Sequence, residues 1–133
     1  GRGLEHGLAL AAALRLPVTV LTVTEPWAPA FDDAIALSAD PTLAADYRKG
    51  CAESAQQILD AAAARAAASG VACDTLHVPD GYPSDAIAKA AEDVGAGLVV
   101  MASHGRRGLG KVLLGSQTQT VLSHSKVPVL VVR

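Results

Sequence analysis

Leu98-Val-Val-Met101-Ala102-Ser-His-Gly105-Arg-Arg-Gly108-Leu-Gly110-Lys-Val-Leu-Leu-Gly115-Ser116-Gln117 is the stretch on which the reading of this 133-residue chain turns. Leu98 to Met101 is a short run of continuous apolar residues, the pattern of a strand buried on both faces. Ala102 to Leu114 reads as a loop, and the four glycines between Gly105 and Gly115 let backbone N–H groups approach a ligand closely. A helix predicted from Ser116 to about Ser125 would bring its unpaired N–H groups and the positive end of its dipole to the same place. Arg106, Arg107 and Lys111 add positive charge. Ligands of open α/β sheets bind beyond the carboxyl ends of the strands, where a loop feeds a helix, so the stretch describes a phosphate cradle.

Outward from this loop, strands and helices alternate. Val127 to Val132 reads as a final strand, with Pro128 suited to a strand start or edge. Upstream, Gly81-Tyr82-Pro83 makes a turn, Ser84 is the expected N-cap, and Ile87, Ala90, Ala91 and Val94 mark a helix ended by Gly95. Val71 to Val78 is a strand, preceded by an Ala-rich helix (Ala52, Ala55, Ile58, Leu59, Ala62, Ala66) that Gly70 ends. Thr24 to Gly50, with Pro26, Pro29 and Pro41 and the aromatics Trp27, Phe31 and Tyr47, reads as a long connection with room for a short helix, either a lid or a surface excursion anchored by its aromatics. Val18 to Val23 is a β-branched strand, and Leu4, Leu8, Ala11 and Leu14 form an amphipathic helix ended by Pro17. Strands alternating with helices imply parallel crossovers and an open α/β sheet with helices on both faces. Read from Gly1, the order is a leading helix and four strands, so the pattern expects a further strand before that helix.

Three kinds of phosphate loop compete for the cradle. Gly105 to Lys111 fits a Walker A loop until Val112 stands where a magnesium-binding hydroxyl belongs. Gly108-x-Gly110 fails as a dinucleotide fingerprint because Leu113 occupies the place of the third glycine. The third kind is G-x2-G-x9-G-[ST]. With its strand, its following helix and the ending Ser-Lys-Val-Pro-Val-Leu-Val-Val, this segment resembles the ATP-binding branch of the universal stress protein family. Gly105 matches the second glycine and Gly115-Ser116 the closing pair, while Ala102 stands in place of the first. The resemblance runs along the chain, through Leu4 to Leu14, Val20 to Val23 and Pro83 to Ile87.

What the resemblance implies is a single domain over residues 1–133. It would be a Rossmann-like fold of the adenine nucleotide alpha hydrolase type, with an open five-stranded parallel sheet of order 3-2-1-4-5. The family's central first strand and its Asp-containing loop have no counterpart after Gly1. By position, Val23 would lie against an adenine, and Met101 and Ala102 beside ribose and phosphates. Gly105, Gly115, Ser116 and Gln117 would contact the phosphates, and Arg106 adds electrostatic support. The implied ligand is ATP, with or without magnesium or manganese, and the implied partner is a second copy paired through Val127–Val132.

Composition and charge exclude several classes. A chain that is 50% hydrophobic is not disordered. The first hundred residues carry a net charge of −7 and the remainder +5, a local anion site rather than the broadly basic face of a nucleic-acid binder. No apolar run reaches the roughly 18 residues of a membrane helix, so a cytoplasmic protein is expected. Cys51 and Cys73 have neither CxxC spacing nor a His pair and read as reduced thiols. His104 lacks a neighbouring carboxylate to orient it as a base, and Ser116 with Gln119 also forms an S-x-x-Q capping box. Three functions remain open: a nucleotide-binding regulatory module in the stress response, a dimeric interaction protein without nucleotide, and a slow ATP hydrolase.

Overall fold

The computed structural model describes residues 1–27, 40–103 and 114–133. Its elements, in chain order, are helix α1 (Arg2–Leu14), strand β1 (Val18–Val23), helix α2 (Thr42–Ala68), strand β2 (Cys73–Val78), helix α3 (Pro83–Asp93), strand β3 (Val99–Ala102), helix α4 (Ser116–His124) and strand β4 (Val129–Val132). The strands pair in parallel as β1 with β2, Val18 opposite Cys73, and as β3 with β4, Val99 opposite Val129. The result is an α/β fold built on two two-stranded parallel sheets.

Strand alternation sorts the helices onto two faces. Val18 packs with Leu4, Leu8 and Ala11 of α1, Ala66 of α2, and Val71. Val23, five residues on, points the other way, toward Gly81 at the start of α3. The buried face of α2 is made of Ala55, Leu59, Ala62 and Ala66, so helix and sheet backbones come close together. On the opposite face α3 packs against α4, where Val121 is fully buried.

Several boundaries differ from expectation. The Ala-rich helix begins ten residues earlier, at Thr42, because Asp40 Oδ1 accepts hydrogen bonds from the Thr42 backbone N–H (3.0 Å) and hydroxyl (2.6 Å). Gly50 lies inside this helix and does not end the preceding connection. Pro83 is already helical and Tyr82 is the N-cap, so Ser84 lies within the first turn and is not the cap. The last strand starts at Val129, after Pro128, and β2 starts at Cys73, because Val71 N–H is drawn back to Ala66 O at 2.9 Å. Residues 28–39 of the lid-like connection, Phe31 among them, lie outside the described residues.

Helices α1, α2 and α3 end alike. In α2, Gly70 (φ 69°) donates to Ala67 O and Val71 donates to Ala66 O, which satisfies two terminal carbonyls. In α3, Gly95 (φ 65°) and Ala96 do the same for Glu92 and Ala91. In α1 the left-handed position is held by Arg15 (φ 56°), where Cβ crowds the following carbonyl oxygen. Arg15→Gly should therefore stabilise the fold and Gly70→Ala destabilise it, each by about 1 kcal/mol. Urea midpoints that move in the same direction for both variants would contradict this account.

Candidate functional site

At the end of β3 the chain continues the ladder for one more residue, as Ser103 N–H donates to Val132 O at 2.8 Å. It returns at Leu114 and Gly115, where Gly115 N–H donates to Ser103 O at 2.9 Å and ties the entrance of α4 to the strand it came from. The Thr118 hydroxyl makes the second tie, reaching Ser103 O at 3.1 Å and Ala102 O at 3.3 Å. Gln119 Nε2 donates to Leu114 O at 2.8 Å. Residues 104–113 lie outside the described residues, and with them His104, Gly105, Arg106, Arg107 and Lys111.

Helix α4 starts with Gly115 as its N-cap, at φ −60° and ψ 150°, a conformation open to any residue. Glycine is thus not required there by the backbone. What it leaves is a helix start with no side chain at the N-cap position. Among the described residues no side chain caps this helix. The capping-box expectation for Ser116 is corrected accordingly: Ser116 is the first helical residue, and the Gln119 amide is engaged with Leu114. The first-turn N–H groups, which have no carbonyl within the helix to bond, leave partial positive charge at this end.

A second helix N-terminus comes to the same strand end. A Cβ placed on Gly3, in the first turn of α1, would stand 3.0 Å from Ala102 N and 3.4 Å from the Met101 carbonyl carbon, so glycine lets α1 lie directly on the end of β3. The two positive dipole ends favour an anion there, each by about 0.3–1 kcal/mol in exposed surroundings. Neither the role of Gly3 nor that of Thr118 emerged from the sequence. A glycine in the first turn of an otherwise Ala/Leu-rich helix was the signal available for the former.

Val23 belongs to the other sheet. With Leu21, Thr22 and Thr24 it lines an open cavity of about 740 Å³ whose far wall is α2, including Tyr47, Cys51 and Ile58. Trp27 stacks on Tyr47 with centroids 5.5 Å apart. The neighbouring Cys51 side chain holds the Tyr47 pKa above the usual phenol value. Thr24 Oγ1 and His77 Nε2 lie 3.0 Å apart across the β1–β2 pair. The described residues thus gather Met101, Ala102, Gly115, Ser116 and Gln117 at one strand end, while Val23 stands at the end of the neighbouring pair, with no hydrogen bond joining the two sheets.

His124, in the last turn of α4, hydrogen-bonds through Nδ1 to Thr120 O at 2.9 Å. Cys51 and Cys73 are free, and burial pushes the Cys73 thiol up. Among the described residues no three His, Cys, Asp or Glu side chains gather as a metal site, and no helix is long and apolar enough to cross a membrane.

Known proteins resemble the chain in both sequence and fold. The universal stress protein MJ0577 of Methanocaldococcus jannaschii is 47% identical over 53 residues, which are 40% of this chain and 33% of that protein. Universal stress protein YxiE of Bacillus subtilis is 38% identical over 77 residues, 58% of this chain and 51% of that one. The matched stretches thus span about a third to a half of the length of these relatives. Among solved structures, that of MJ0577 aligns with a TM-score of 0.79 at 27% identity, covering 98% of this chain and 84% of its own. A universal stress protein solved in complex with cAMP aligns with a TM-score of 0.65 at 28% identity, covering 99% and 85%. The sequence pattern of the universal stress protein family matches residues 1–133 from end to end, and with the parallel strand pairs and the clamped helix behind the glycine loop it leaves one conclusion: the chain belongs to that family.

Proposed function

We propose that this chain binds an adenine nucleotide, ATP foremost, and serves as a stress-response regulatory module. The observation that carries the reading is the meeting of two helix N-termini at the carboxyl end of β3, one of them with Gly115 as its N-cap and no side-chain cap among the described residues. That arrangement suits a phosphate group. The relative solved with cAMP supports an adenine nucleotide as the ligand's class. In this reading Gly115, Ser116 and Gln117 donate to the phosphates, together with Gly105 and Arg106 of the loop. Met101 and Ala102 flank the ribose, and Val23 borders the base. Magnesium or manganese would travel on the phosphate oxygens. Binding is the function, with hydrolysis slow at most, in a single domain working in the cytoplasm.

Calorimetry with ATP, ADP and AMP tests this reading. The parent protein should give heat with ATP. Ser116→Ala should weaken binding about tenfold, the value of one hydrogen bond to a charged group. Gly115→Val should abolish measurable heat while leaving the urea midpoint close to the parent's, since the backbone there accepts any residue. No heat with any of the three nucleotides would sink the proposal.

The sheet edges support two further assignments. Alternation along β1 turns the N–H and C=O groups of Thr19, Leu21 and Val23 away from β2, and alternation along β3 turns those of Val100 and Ala102 away from β4. A fifth parallel strand between β1 and β3, giving the order 3-2-1-4-5, would satisfy both edges. The Leu21 and Val100 amides should then be protected from hydrogen exchange, whereas exchange at the open-chain rate would count against that strand.

At the other edge of its sheet, β4 exposes 40% of Leu130. Such an apolar edge is normally covered, and a second copy paired strand to strand across a two-fold axis would cover it. Sedimentation should give a dimer at micromolar concentration and a monomer for Leu130→Lys. A monomeric parent would refute the assignment. A dimer that binds no nucleotide would instead favour the reading of a pure interaction protein.

A further inference from the structure

We infer that Thr118 is the positioning residue of the phosphate site, setting where the first turn of α4 stands relative to β3; this rests on the nucleotide reading above. Helix α4 carries four side-chain hydroxyls, on Ser116, Thr118, Thr120 and Ser123. Thr120 and Ser123 make the ordinary back-bond to the carbonyl four residues earlier, with Ser116 O at 3.0 Å and Gln119 O at 2.9 Å. Thr118 does not. It is 2% exposed, and its hydroxyl leaves the helix to reach the carbonyls of Ala102 and Ser103 on β3.

One proton cannot serve both oxygens fully, so the hydroxyl sits between them and holds the strand end and the helix start at a common distance. With Gly115 N–H on Ser103 O, this makes two ties from the same turn to the same strand end. A single tie would fix a distance and leave the helix free to swing about it. Two ties also fix the direction of the helix axis, and hence the aim of the Ser116 and Gln117 N–H groups. The value of those donors to a phosphate depends on that aim, because N–H···O bonds weaken steeply once bent. Thr118 is therefore not a ligand contact. Its hydroxyl is spent on the scaffold, and its effect reaches the ligand through the backbone of the turn above it.

Thr118→Val keeps the shape of the side chain and removes the hydroxyl, and Thr118→Ser keeps the hydroxyl. Calorimetry with ATP, with adenosine measured by competition, separates a positioning role from a merely structural one, because adenosine lacks the phosphates that the turn addresses. Thr118→Val should weaken ATP about tenfold, leave adenosine within about twofold of the parent, and lose exchange protection at the Gly115 amide. Thr118→Ser should restore both ATP affinity and Gly115 protection. Unchanged ATP affinity in Thr118→Val, or equal losses for ATP and adenosine, would overturn the inference while leaving the nucleotide reading intact. A parent protein that binds no nucleotide would overturn both.

Discussion

The two strand pairs share no hydrogen bond among the described residues, and that constraint governs the molecule. A two-stranded sheet is marginal on its own in water, so the helices must hold the pairs together. Helix α1 does so on one face, touching β1 as well as β3 and β4. Its partner α2 seals the same face over β1 and β2, with Ala66 and Val71 meeting Leu8 and Ala11 in one core. On the other face α3 touches β1 and packs against α4, which is tied to β3. Each pair of strands is thus gripped by helices that belong in sequence to both.

This division of labour explains why small residues dominate the interior. A helix that must reach two sheets at once needs a short separation, and Ala11, Ala55, Ala62 and Ala66 supply it where Leu or Phe would hold the layers apart. Surface charge contributes little by comparison. The ion pairs Arg65–Glu5, Lys126–Glu92 and Lys89–Asp93 join well-exposed side chains, whose typical worth is at most about 1 kcal/mol each. Lys126, which lies outside the glycine loop, has its role in one of these pairs, tying the segment after α4 back to α3.

What the sequence disclosed and what it hid divide along the range of the interactions involved. Strand β1 was legible to the residue, because Val18 to Val23 combines β-branching with an absence of charge, and Pro17 marks where α1 has ended. The ends at Gly70 and Gly95 were legible because a left-handed cap is a local event. The start of α2 was not: Asp40-Pro41-Thr42 looks like another turn in a proline-rich stretch, and Pro41 shows itself as the N-cap only once the Asp40 carboxylate is seen to hold Thr42. Strand β3 could be read, to within a residue, from the apolar run Leu98 to Met101, and the start of α4 from the Gly115-Ser116 pair. The Thr118 bonds and the approach of Gly3 could not, since each depends on residues about fifteen to one hundred positions away.

That approach at Gly3 ties the volume allowed at one position to the main chain of a distant strand. The strand end carries a methyl at Ala102 where the related pattern has glycine, and the helix facing it carries a bare hydrogen at Gly3. A side chain added at position 3 would have to displace backbone rather than a flexible tip, and so would lift α1 away from β3. Removing the methyl of Ala102 would not relieve that clash, because the atoms met are main-chain atoms, so the freedom of position 3 to vary is set by the path of the strand and not by the side chain the strand carries there.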